Sequence, residues 1–106
     1  MNKFGASIRE KRQARGMLLR QLSAALEIDA AILSKIERGE RNAKREHIPL
    51  LAALLDLDEK ELLTLWLGDK VYEMVKEEEV AAAALKVAED SVKYEGKSIY
   101  PKDLDL

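Results

Sequence analysis

Apolar residues recur at helical intervals along the whole chain, and the breaks between them fall at capping residues and glycines. Phe4 and Ile8, with Ala14, mark one face of a segment from Lys3 to Arg15. Asn2 can cap its start and Gly16 can end it. Leu19, Leu22 and Leu26 predict a second helix over Leu18 to Leu26, and Glu27-Ile28 reads as a turn. Asp29 is a good cap for a third helix running to Arg38, with Ile32, Leu33 and Ile36 on one face and Ser34, Lys35 and Arg38 on the other. Gly39 supplies the left-handed residue that ends such a helix. Ile48, Leu51, Leu54 and Leu55 predict a fourth helix from about Arg45 to Leu55. Pro49 lacks an N–H and suits only a first turn, which argues for a later start near His47.

Asp58 with Glu61 three residues on resembles a capping box and opens a fifth helix, Glu59 to Leu67. Its Leu62, Leu63, Leu65, Trp66 and Leu67 are more apolar surface than one face of one helix can hide. Gly68 is expected to close it. From Asp69 to about Tyr94 the pattern Val71, Met74, Val75, Ala82, Leu85, Val92 repeats near 3.5 residues, a long amphipathic extension that Lys76–Glu79 could split in two. Glu95 to Leu106, with Gly96 and Pro101, reads as a tail. The expected organisation is all-α: a five-helix domain over 1–68, a helical extension over 69–94 and a tail over 95–106.

Charge changes the picture more than composition does. The 106 residues carry a net charge of −2, but residues 1–45 hold a balance of +6 and residues 46–106 one of −8. The basic front half fits a polyanion, and the acidic rear does not. With no cysteine, disulfides and thiolate metal sites are excluded, and the single histidine, His47, cannot form a metal site alone. His47 reads as a polar residue at a helix start. No Ser/His/Asp grouping or glycine-rich phosphate loop can be assembled, so no enzyme and no cofactor are expected. No apolar run approaches membrane-span length and no signal peptide is visible, which gives a cytoplasmic protein as the expectation.

Arg38, Arg41, Lys44 and Arg45 place four cations within eight residues, immediately after the third helix. Phosphates attract such a cluster without regard to sequence. Leu62, Leu65 and Trp66 are candidates for contact with another chain, since aromatics are enriched in interfaces; packing of the last helix onto its own domain is the alternative. The helix through Val71 and Val75 can pair with its symmetry mate or fold back.

Three patterns then line up: Phe4-Gly-x-x-Ile8-Arg9-x-x-Arg12-x-x-x-Gly16, Leu22-Ser-x-x-Leu26-x-Ile28, and Ser34-Lys-Ile36-Glu37-Arg38-Gly39-x-Arg41. Together they resemble the helix-turn-helix family of phage-repressor and XRE-type regulators over residues 3 to 68. The resemblance implies a lambda-repressor-like domain whose third helix enters the major groove of two-fold DNA as a homodimer. It places base-facing positions at Ala30, Ala31, Ser34 and Lys35, and phosphate contacts at Arg38, Arg41, Lys44, Arg45 and Arg20. It assigns Arg12 and Glu37 to a partly buried ion pair.

The chain departs from that family's pattern in four places. Leu18 stands where Thr or Asn is usual, Leu19 where Gln often grips a phosphate, and Glu27 where Gly is common. Ala30 and Ala31 stand where many relatives carry Gln, Arg or Thr. Alanine can only touch a thymine methyl or allow close approach, so direct reading rests on Ser34 and Lys35. The expected function is transcription regulation, with a restriction–modification or similar operon as one setting. The alternative is an antitoxin or interaction module whose C-terminal segment binds a protein partner.

Overall fold

The computed structural model describes residues 2–98, and among them every regular element is a helix: α1 (Lys3–Ala14), α2 (Leu19–Leu26), α3 (Ala30–Glu37), α4 (His47–Leu55), α5 (Glu59–Val75) and α6 (Ala81–Ser98). The chain divides into two compact units, one up to Tyr72 and one from Glu73.

The first unit is a helical cluster around a single apolar core. Phe4 and Ile8 from α1, Leu22 and Leu26 from α2, and Leu33 and Ile36 from α3 are buried. Ile48, Leu51, Ala52 and Leu55 of α4 and Leu62 and Trp66 of α5 complete the core. Each such aliphatic side chain contributes about 1.5–3 kcal/mol on leaving water. Of the expected inward positions, Leu54 is only half-buried and Ala14 is exposed.

Local chemistry sets the helix ends. Asn2 accepts from the Gly5 N–H at 2.9 Å and starts α1. Asp29 accepts from the Ala31 N–H at 3.3 Å, and Asp58 from the Glu61 N–H at 2.9 Å. Leu18 cannot cap α2 with its side chain; instead Gln21 reaches back and accepts from the Leu18 N–H at 2.7 Å, the reciprocal half of a capping box. Helix α4 begins at His47, so Pro49 lies in its first turn, where a missing N–H is harmless. Gly5 is a packing requirement: a Cβ there would overlap the Ile36 carbonyl oxygen, so the close approach of α1 to the end of α3 needs glycine.

Two expectations about the C-terminal region are corrected. Gly68 does not end the fifth helix, which continues to Val75. An interior glycine costs only about 1 kcal/mol, and the continued helix puts a carboxylate to use: Asp69 accepts from the N–H groups of Lys3 at 3.2 Å and Phe4 at 2.8 Å. A carboxylate on the free donors at the positive end of α1 is stabilising. The helix breaks instead at 76–80, over the charged run that reads as a possible interruption in the sequence. Residues 95–98, expected in the tail, are helical and belong to α6; the rest of the expected tail, 99–106, lies outside the described residues.

Candidate nucleic-acid interface

The surface of α3 is two-sided. Leu33, Ile36 and Glu37 face inward and are buried. Ala31, Lys35 and Arg38, at helical spacing, are exposed, while Ala30 and Ser34 are half-buried beside them. The structure thus gathers the four candidate base-facing positions on the solvent side of one eight-residue helix.

The cations that follow α3 differ from one another. Arg38 donates to Glu40 at 3.3 Å across an exposed pair, an interaction that water largely screens. Arg41, Lys44 and Arg45 are exposed and have no ion-pair partner among the described residues. Arg20, in the first turn of α2, is exposed as well, and its carbonyl accepts from the Ser23 hydroxyl at 3.1 Å. Arg41 and Lys44 line a hollow with Ile32 and Ile36 and so leave positive charge unneutralised beside α3, whereas Arg45 lines another with Pro49, Glu59 and Leu63.

Beneath this surface, Arg12 and Glu37 form a two-point contact. Arg12 Nε donates to Glu37 Oε2 at 2.8 Å and a terminal nitrogen donates to Oε1 at 3.0 Å. Their side chains are only 11% and 4% exposed. Arg12 also donates to the Met17 carbonyl at 2.9 Å, so most of the fork is satisfied. The hydrogen bond to Glu37 raises the Arg12 pKa above its ordinary value, outweighing the cost of burial. A fixed guanidinium–carboxylate pair locks α3 onto α1.

Two side chains that sequence reasoning did not place in the site hold it from behind. Asn2 donates from Nδ2 to the Glu37 carbonyl at 2.8 Å and lies against Gly39, whose φ of +79° suits glycine. The second is Trp66, 8% exposed, whose indole N–H donates to the Ala43 carbonyl at 2.9 Å. Ala43 sits between Arg41 and Lys44, so this bond fixes the middle of the basic loop. Lys70 Nζ lies over the indole, 4.2 Å from the ring centre.

This corrects the expected interface residues Leu62 and Trp66. Both are buried in their own domain, because the core beneath the basic loop needs a large apolar body with one donor at its edge. Of the other candidates, Leu65 and Val75 are half-buried and Val71 is exposed. The signal for Trp66 was available in principle: a buried indole needs an acceptor, and an irregular loop offers carbonyls. Which loop residue would serve depends on long-range packing that spacing does not encode.

His47 opens α4 with its Nδ1 turned inward, without a hydrogen-bond partner among the described residues. No group of three or more potential ligands among the described residues could hold a metal ion. No helix among them is long and apolar enough to cross a membrane.

No curated protein and no solved structure matches the chain. The helix-turn-helix family model matches residues 8–62. That span runs from the core residue Ile8 through α2, the Glu27-Ile28 turn, α3 and the basic loop to Leu62, so the match and the geometry meet on the same elements. By that match over half its length, the chain belongs to the helix-turn-helix family of phage-repressor and XRE type.

Proposed function

We propose that this DNA-binding protein is a sequence-specific transcription regulator with a lambda-repressor-like domain, acting as a homodimer on a two-fold site. The observation that carries the reading is the exposed face of α3, followed in the chain by three exposed cations that no carboxylate pairs among the described residues. In this reading Ser34 and Lys35 touch base edges, Ala30 and Ala31 permit close approach, and Arg20, Arg38, Arg41, Lys44 and Arg45 anchor phosphates. The unit up to Tyr72 binds DNA, with Asp69 bracing the start of α1, and the extension runs from Glu73 through α6. The dimer contact draws on Leu65, Val71 and Val75. Control of a restriction–modification or similar operon suits a protein of this size, working in the cytoplasm by occupancy.

A second reading gives the C-terminal segment a protein partner, as an antitoxin has. It draws on the exposed apolar residues from Met74 onward, and the oligomeric state of the full chain separates the two.

The test is a gel shift on the DNA upstream of the protein's own gene at several salt concentrations. Affinity should fall with salt by about 0.9 log units per phosphate contact for each log unit of salt. Arg41→Ala should weaken binding to all sequences and lower that slope by about one contact. Lys35→Ala should instead reduce discrimination between the bound site and unrelated DNA, by about 1–3 kcal/mol if the lysine reads a guanine edge. Salt-independent binding would overturn the reading.

A further inference from the structure

Three elements meet at the first turn of α1. The N–H groups there have no partner within the helix, as at any helix start. Side chains take three of them: Asp69 of α5 accepts from Lys3 at 3.2 Å and Phe4 at 2.8 Å, and Asn2 accepts from Gly5 at 2.9 Å.

The same turn touches the end of α3. Asn2 donates to the Glu37 carbonyl at 2.8 Å, and Gly5 packs so closely on the Ile36 carbonyl oxygen that a Cβ would overlap it. That Ile36 oxygen accepts from the Gly39 N–H at 3.1 Å, and the Lys35 carbonyl accepts from the Glu40 N–H at 2.8 Å. These bonds close the reading helix, and the basic loop with Arg41 begins directly after them. The contacts therefore run in series: Asp69 to the first turn of α1, and that turn, through Asn2 and Gly5, to the closing bonds of α3. They are separate from the Arg12–Glu37 lock, which joins the last turn of α1 to the Glu37 side chain. Loosening the first turn leaves α3 attached and frees its end.

The hold on Asp69 is polar. No residue of α5 beyond Trp66 is buried, so apolar packing does not seat this stretch. Gly68, just before Asp69, is helical and exposed, and a Cβ there would meet nothing. Neither space nor a left-handed turn demands glycine at this point, and glycine leaves the helix easier to bend than alanine would. The seating of Asp69 rests on its two hydrogen bonds, on the positive end of α1, and on Lys70, whose ammonium lies 4.2 Å from the centre of the Trp66 ring.

We infer that Asp69 is a positioning residue for the DNA-binding surface: its carboxylate seats the first turn of α1, and Asn2 passes that order to the end of α3 and the entry of the basic loop. Helix α5 runs past Tyr72 to Val75, so this bond ties DNA binding to the helix that leads into the second unit. The inference rests on the DNA-binding reading in its last step; the earlier steps are measurable without DNA.

Amide hydrogen exchange of the full chain, followed by NMR, tests those steps. In Asp69→Ala the Phe4 amide should exchange faster by about tenfold or more, the worth of a hydrogen bond to a charged group. The Gly39 and Glu40 amides should follow it. Glu27 and Ile28, whose amides close α2 on the Ala24 and Ser23 carbonyls, should exchange as in the wild type. Unchanged Gly39 and Glu40, or equal acceleration at the ends of α2 and α3, would overturn the inference, the second because it marks a general loss of stability. With Asn2→Ala already in place, Asp69→Ala should add little at Gly39 and Glu40; full additivity would mean that the two residues act apart and would also overturn it.

In the gel shift, Asp69→Ala should bind more weakly and lower the salt slope by about one contact, that of Arg41, while tryptophan fluorescence shows a folded first unit. Gly68→Ala, which stiffens α5 beside the docking point, should bind at least as well as the wild type. Wild-type affinity and slope in Asp69→Ala, or weaker binding in Gly68→Ala, would overturn the functional step. A wild-type chain that ignores DNA yet shows the expected exchange pattern would end the regulator reading and leave the Asp69 relay in place.

Discussion

The two units of this chain handle the same kind of amphipathic helix in opposite ways. In the first unit every helix turns an apolar stripe into a shared core, and Arg12–Glu37 is closed off from water beneath the proposed reading helix. In the second unit, α6 has as strong an apolar stripe and none of its large side chains is buried; its ion pair Lys93–Glu89 lies in solvent. Periodicity alone does not separate the two cases. What does is company: short helices joined by brief connections are forced against one another, whereas α6 follows a charged break and is the only complete helix among the described residues of its unit. An apolar face thus becomes core or interface according to what the chain brings to it.

The largest effect expected from this contrast comes from cutting one ion pair in each unit. Glu37→Ala leaves the Arg12 guanidinium buried with only the Met17 carbonyl as partner. Removing one member of a buried pair costs about 3–5 kcal/mol, a large share of the stability of a small domain. Thermal and urea melts followed by tryptophan fluorescence should show an unfolded or strongly destabilised first unit. Glu89→Ala, cutting the exposed pair on α6, should leave the same melt unchanged. Wild-type stability in Glu37→Ala would refute the assignment of this pair as the lock between α1 and α3.

A smaller effect probes the link between core and basic loop. Trp66→Phe keeps most of the buried apolar body and removes the indole donor, so the Ala43 carbonyl loses its partner. The cost should be about 1–3 kcal/mol. Because Ala43 lies between Arg41 and Lys44, the variant should also weaken non-specific DNA binding at temperatures where it remains folded. An interface role for Trp66 would instead appear as a concentration-dependent loss of dimer with the melt unchanged.

How much of this was legible in the sequence follows from the range of each interaction. Caps at Asn2, Asp29 and Asp58, the late start of α4 imposed by Pro49 and the break at 76–80 all depend on neighbours a few residues apart. Spacing exposes such signals. The run of α5 through Gly68, the Asp69 carboxylate on the start of α1 and the indole bond to Ala43 depend on partners 23 to 66 residues away. A glycine inside a helix and a glycine that ends one look alike until the partner of the following turn is known. Arg12 and Glu37, 25 residues apart, came within reach only through the family pattern.

The mildest test concerns the turn between the two motif helices, where the first unit departs from its family. Glu27 ends α2 in the left-handed region at φ 58°, with no side-chain partner among the described residues. An L-residue there carries a penalty of about 1–2 kcal/mol that glycine avoids. Glycine in turn gives the unfolded chain more freedom, which takes back part of the gain. Glu27→Gly should therefore stabilise the first unit by about 0.5–1 kcal/mol, seen as a modest rise in melting temperature. Asp56 ends α4 in the same region at φ 56°, but aspartate tolerates that conformation better, so Asp56→Gly should gain less. The ordering matters more than either value. If both variants gained equally, backbone strain alone would govern these turns. If Glu27→Gly instead lost stability, the glutamate would have to make a contact in solution that outweighs its strain, and the turn would be a specific feature of this chain.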